Sequence, residues 1–144
     1  MYNIYNWVDI VKNLDSPSKI SLIKSSDFHH QLKEYVYDFQ LTKEIPVKNL
    51  EMFSNLKILE CSDCDNITNV GKLVNLKKII CYNCQNITNV EKLVNLTYLD
   101  CWNCQNITNV EKLVNLKKLI CFDCPNITNE IKQLLRSRNV EIFD

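Results

Sequence analysis

The chain has 144 residues, with 17 Lys plus Arg against 17 Asp plus Glu. That is room for one continuous core, and there is no net charge to gather nucleic acid or an anionic membrane. Nothing near Met1 has the basic flank and apolar run of a secretory signal. No stretch approaches the roughly 20 apolar residues of a membrane span, so a cytoplasmic, intracellular protein with no membrane partner is expected. Ala is absent and Gly71 is the single glycine, while Asn, Lys and Ile abound. This is the bias of an AT-rich coding sequence, and it argues against reading every Asn or Lys as chosen for function.

In chain order, Ile4, Trp7, Val8, Val11 and Leu14 fall at steps of three or four, which predicts a first helix. Ser16 as N-cap with Pro17 at the first helical position opens a second, carrying Ile20, Leu22 and Ile23. Asp27 caps a third that runs through Leu32 towards Tyr35. Residues 1–35 are therefore expected to form a helical cap.

From Leu56 the sequence repeats without gaps. Residues 56–75, 76–95, 96–115 and 116–135 are four copies of one 20-residue unit, and the string CQNITNVEKLVNL occurs twice, at Cys84–Leu96 and Cys104–Leu116. Such self-similarity is the signature of a repeat architecture. Within a unit the apolar residues Leu76, Ile79, Cys81, Cys84, Ile87, Val90 and Leu93 are spaced 3, 2, 3, 3, 3 and 3. Only the step of two is strand alternation, so each unit should make one short strand, turn a corner at Cys84 and return through irregular or 3₁₀-like backbone.

The same phases extend upstream through Val36, Phe39, Leu41, Val47, Leu50 and Phe53, giving a degenerate coil over 36–55. Downstream, 131–138 reads as a short helix and 140–143 as a last strand slipped by one residue, so that 136–144 forms a C-terminal cap. Strands are expected near 39–42, 59–62, 79–82, 99–102, 119–122 and 140–143.

Leu96, Leu99, Cys101, Cys104 and Ile107 match the L-x-x-L-x-L-x-x-N/C-x-L pattern, and the sequence resembles the leucine-rich-repeat family. The resemblance implies an α/β solenoid over residues 36–144, with a concave parallel β-sheet of about six strands behind an N-terminal helical cap.

All eight cysteines form C-x-x-C pairs, 61/64, 81/84, 101/104 and 121/124. Such pairs elsewhere bind zinc or act as redox dithiols. The repeat phase instead places the first of each pair in the core and the second at the corner, where many repeats carry Asn. Small, weakly polar thiols suit both places, so no metal or other cofactor is expected.

If Ile79 and Cys81 point inwards, alternation sends their neighbours to the open face. One outward column holds Ser62, Tyr82, Trp102 and Phe122. The next holds Glu60, Ile80, Asp100 and Ile120, and another Ile58, Lys78, Tyr98 and Lys118. Asp63, Asn83, Asn103 and Asp123 line the rim. Three adjacent exposed aromatics either stack across strands to stabilise the sheet or mark a protein-binding hot spot. The candidate partner-binding residues are Tyr82, Trp102 and Phe122 with Ile80, Ile120, Tyr98, Asp100 and Glu60. The carboxylates favour a partner with basic character and disfavour nucleic acid, whose phosphates they would repel. Asn66, Asn86, Asn106 and Asn126, and Asn55, Asn75, Asn95 and Asn115, are expected to be structural, with the second column in left-handed backbone and bonded locally.

No catalytic constellation is visible. His29 and His30 lie in the helical segment, and a single Gly cannot make a phosphate-binding loop, so an enzyme is not expected. Val8-Asp9-Ile10-Val11, Leu14-Asp15-Ser16-Pro17, Leu22 and Phe28 resemble a degenerate F-box. The usual Leu-Pro opening is absent, with Trp7 near its place. This resemblance implies docking of residues 4–28 on the adaptor of a cullin-type ubiquitin ligase, with the solenoid selecting the substrate. The Asn- and Lys-rich organisation resembles proteins of large amoeba-infecting DNA viruses, which implies the host cytoplasm. The sequence thus leaves a protein-interaction module, with an unidentified protein partner, beside a ubiquitin-ligase substrate receptor.

Overall fold

The computed structural model describes residues 15, 18, 38–40, 50 and 53–144. The three expected N-terminal helices otherwise lie outside the described residues, as does most of the coil over 36–55. Ser18 is helical, and its N–H donates to the Asp15 carboxylate at 2.8 Å. Asp15 thus takes the acceptor place of an N-cap, whose side chain reaches the N–H three residues on, while the expected cap at Ser16 lies outside the described residues.

Each 20-residue unit contributes one short strand: β2 at Ile58–Glu60, β3 at Lys78–Ile80, β4 at Tyr98–Asp100 and β5 at Lys118–Ile120, with β1 at Asp38–Gln40 before them and β6 at Glu141–Phe143 after. Neighbours in sequence are neighbours in one open sheet, and every pairing is parallel. Ile58 faces Lys78, Lys78 faces Tyr98 and Tyr98 faces Lys118, so the sequence period becomes the sheet register. The architecture is compatible with a leucine-rich-repeat-like chain.

β1 to β5 begin one residue earlier than the spacing predicts, β6 begins one later, and all six are three residues long. Asp63, Asn83, Asn103 and Asp123 have φ between 53° and 59°, in the left-handed region, and bend the chain out of the sheet. The ladder nonetheless persists past the strand ends. Cys81 N–H donates to Asp100 O at 2.8 Å, and Asn83 N–H donates to Trp102 O at 2.9 Å.

The spacing of three has a direct physical cause. Cys84 N–H donates to Cys81 O, Leu93 N–H to Val90 O and Leu96 N–H to Leu93 O, so successive apolar residues are the two ends of successive i→i+3 turns. Each turn drives its anchors inwards, and Leu76, Ile79, Cys81, Cys84, Ile87, Val90 and Leu93 are fully buried. Val90–Lys92 and Val110–Lys112 close into 3₁₀ turns. A full Leu or Ile burial contributes roughly 1.5–3 kcal/mol, but only because adjacent coils cover it.

Gly71 stands where the next two coils carry Glu91 and Glu111. A Cβ there would lie 2.9 Å from Lys92 Cδ and 3.0 Å from Asn89 Cβ.

The last coil ends in helix α1, Asn129–Ser137, with Thr128 Oγ1 accepting from Ile131 N–H at 3.5 Å. Leu135 plugs the core and Ile131 packs against it. Asn139, at φ 61°, terminates α1 in left-handed backbone, while Val140 N–H donates to Leu135 O and Asn139 N–H to Arg136 O, the double bond of a Schellman end. This excursion delays β6. Lys118 pairs with Glu141, where a 20-residue period would place residue 138. The final strand is therefore shifted by three positions and not by one.

Candidate functional site

The middle residue of each repeat strand, Leu59, Ile79, Leu99 or Leu119, is fully buried, whereas its neighbours on both sides are not. Alternation therefore projects the columns of Lys78 and Ile80 onto the open face of the sheet, as expected. Tyr82, Trp102 and Phe122 do not lie on strands. They sit in the turns that follow, held in line by the ladder bonds from Asp63, Asn83 and Asn103 N–H to their carbonyls. Their side chains stay 38%, 49% and 43% exposed, while the core beneath is filled by Leu and Cys.

Asp100, Trp102, Ile120, Phe122 and Asp123 line an open groove of about 400 Å³. Four of these were candidates from the sequence. Asp123 joins them because its carboxylate Oδ2 accepts from the Trp102 indole N–H at 3.4 Å, one coil away. Asp100 Oδ1 accepts from Trp102 N–H at 3.5 Å. Burial holds the Asp100 carboxyl above the usual carboxylate range, against that amide bond.

The remaining candidates share the face but not the groove lining. Lys78 Nζ lies 5.4 Å from the Tyr98 ring centroid and 3.6 Å from Glu60 Oε1, and Gln40 Nε2 donates to Glu60 Oε2 at 2.9 Å. The slipped β6 brings in Phe143, which the repeat phase could not place. It pairs with Ile120 and lies under Lys118, whose Nζ is 4.4 Å from its ring and 3.5 Å from Glu141 Oε2. A second exposed apolar column, Val74, Val94 and Val114, lies on the return side. Its members are single valines, and they lack the large aromatic anchors that dominate binding surfaces.

The rim is a side-chain ladder. Asn83 Nδ2 donates to Asp63 Oδ1 at 3.1 Å, and Asn103 Nδ2 to Asn83 Oδ1 at 2.9 Å. The other two Asn columns bond across coils and not locally. Asn75, Asn95 and Asn115 reach the carbonyls of Ser54, Val74 and Val94. Asn86, Asn106 and Asn126 reach those of Asp65, Gln85 and Gln105. Neither column is left-handed. That conformation belongs to the rim and to Asn89, Asn109 and Asn139.

All eight cysteines are buried and free. The corner thiols of Cys84, Cys104 and Cys124 donate to the carbonyls of Cys61, Cys81 and Cys101 at 2.8–2.9 Å. The Cys61, Cys81 and Cys101 thiols are held well above their ordinary pKa, first by hydrogen bonding with Cys84, Cys104 and Cys124 and then by burial. Burial pushes Cys121 up to about 11. Hydrogen bonding with Cys61 lowers Cys84, and that with Cys101 lowers Cys124 to about 7. The raised thiols are poor nucleophiles, and the lowered ones are sealed in the core, at 0% and 6% exposure.

Among the described residues no three His, Cys, Asp or Glu side chains are grouped to hold a metal ion, and no helix is long and apolar enough to cross a membrane. No family model and no curated protein matches the sequence.

Proposed function

We propose that the chain is a leucine-rich-repeat solenoid of about six coils that holds a partner protein on the concave face of its sheet, as an interaction module and not an enzyme. One observation carries this reading: the Trp102–Phe122 groove is apolar and open, although every core position of the repeat is already occupied. Exposed aromatics in a cleft provide large contact area at low entropic cost and are the residues that dominate binding energy.

Affinity capture with the wild-type chain beside Trp102→Ala tests it. Truncating a hot-spot tryptophan removes about 2 kcal/mol or more, roughly a thirtyfold loss of affinity. Thermal unfolding should move little, because an exposed substitution changes stability by about 0.5 kcal/mol or less. Undiminished capture by the variant would refute the site.

The rival reading, a substrate receptor docking through residues 4–28, rests on a segment outside the described residues apart from Asp15 and Ser18. Capture of the adaptor by the full chain, lost on deleting residues 1–35 and kept by Trp102→Ala, would favour it.

A further inference from the structure

We propose that the groove between Trp102 and Phe122 seats the guanidinium of an arginine carried on a basic segment of the partner, with Asp100 and Asp123 as its counter-charges. This rests on the concave-face reading and names the chemistry that the face selects.

The chain supplies its own precedent. On the same face, Lys78 lies over Tyr98 beside Glu60 and Lys118 lies over Phe143 beside Glu141. A cation over a ring and next to a carboxylate is thus the local motif, set on the strands either side of Asp100. Trp102, Phe122, Asp100 and Asp123 repeat the same ingredients around an open groove. Among the described residues no cation enters here, and neither Asp100 nor Asp123 has an ion pair. Their contacts come from the Trp102 backbone and indole N–H groups, both at long range.

The occupant follows from what would be lost with each alternative. A neutral apolar side chain would cover the aromatics but strip water from two carboxylates without pairing them. A phosphate would meet those carboxylates directly. A cation satisfies both, drawn to the ring faces and to the acids. Arginine is preferred to lysine because its flat, weakly hydrated guanidinium stacks on an indole while donating sideways to carboxylates, whereas an ammonium must shed a tight hydration shell.

The test uses the full chain and three labelled hexapeptides that alternate serine with arginine, citrulline or lysine, followed by fluorescence anisotropy. The arginine peptide should bind saturably. Asp100→Asn/Asp123→Asn should bind it at least about tenfold more weakly, and the wild type should bind the citrulline peptide weaker by a similar factor. The lysine peptide should fall between. The double variant is isosteric at one half-buried and one exposed position, and its unfolding midpoint confirms that it is folded. Citrulline binding equal to arginine, an undiminished double variant, or no saturable arginine binding overturns the proposal, and lysine binding as tight as arginine overturns the guanidinium assignment. Loss of a captured protein partner by Trp102→Ala but not by the double variant would remove the arginine seat and leave the concave interaction site. Retention of that partner by Trp102→Ala would remove the site itself.

Discussion

The thiol of Cys104 donates to the carbonyl of Cys81 in the preceding coil at 2.9 Å. Among the described residues the only backbone donor to that oxygen is Cys84 N–H in its own corner turn, at 3.2 Å, so the thiol is its link to the next coil. Removing a donor from a buried acceptor costs about 1–3 kcal/mol. Cys104→Ala should therefore lower the free energy of unfolding by about 2 kcal/mol, whereas Cys104→Ser, which restores a donor, should cost clearly less. Urea unfolding of both variants checks this. Equal losses would mean that packing, and not the hydrogen bond, is what the corner cysteine provides.

Asn109 adopts φ 57° immediately before a 3₁₀ turn, and its amide donates to the neighbouring Thr108 hydroxyl. A β-branched residue cannot enter that region without a clash of about 1–2 kcal/mol, while glycine enters freely. Asn109→Val should lower the thermal midpoint measurably and Asn109→Gly should leave it nearly unchanged. A valine variant as stable as wild type would show that the turn relaxes to ordinary backbone.

Asp100 is held above the usual carboxylate range by burial, and the sign of its effect on stability follows by linkage. A carboxyl whose folded pKa exceeds its unfolded one binds its proton more tightly in the native state, so its ionisation opposes folding. Asp100→Asn should accordingly melt at or above the wild-type temperature at pH 7, with the difference shrinking as pH falls through the carboxylate range. Melting curves at pH 7 and pH 4 test this. A variant less stable than wild type at pH 7 would mean that the Trp102 amide bond to Asp100 outweighs desolvation. The same linkage predicts that arginine-peptide binding weakens on acidification, because protonated Asp100 has no charge to offer.

Much of the molecule was legible in the period itself. A repeat of 20 residues without gaps leaves one register, and residues recurring every three positions can only be the anchors of successive turns. The inward placement of Ile79, Cys81 and Cys84 could be inferred because an apolar side chain that recurs in phase has nowhere to go but the common core. The exposure of Tyr82, Trp102 and Phe122 followed from the same logic, since the core positions were already assigned.

Tertiary structure alone decided the contacts between coils. Asn115 could have bonded within its own turn, yet its amide reaches the Val94 carbonyl at 2.7 Å, because stacking brings that oxygen within reach. Phe143 reached the open face of the sheet only because α1 and its left-handed end at Asn139 delay β6 by three positions, a length set by helix packing against the core and not by the repeat. Asp123 became part of the groove through its bond to the Trp102 indole, 21 residues away. The sequence determined the period and which residues turn inwards, because burial of a repeating apolar pattern admits one solution. The partners of the polar side chains were decided by the distance between coils, which exists only once the stack has formed.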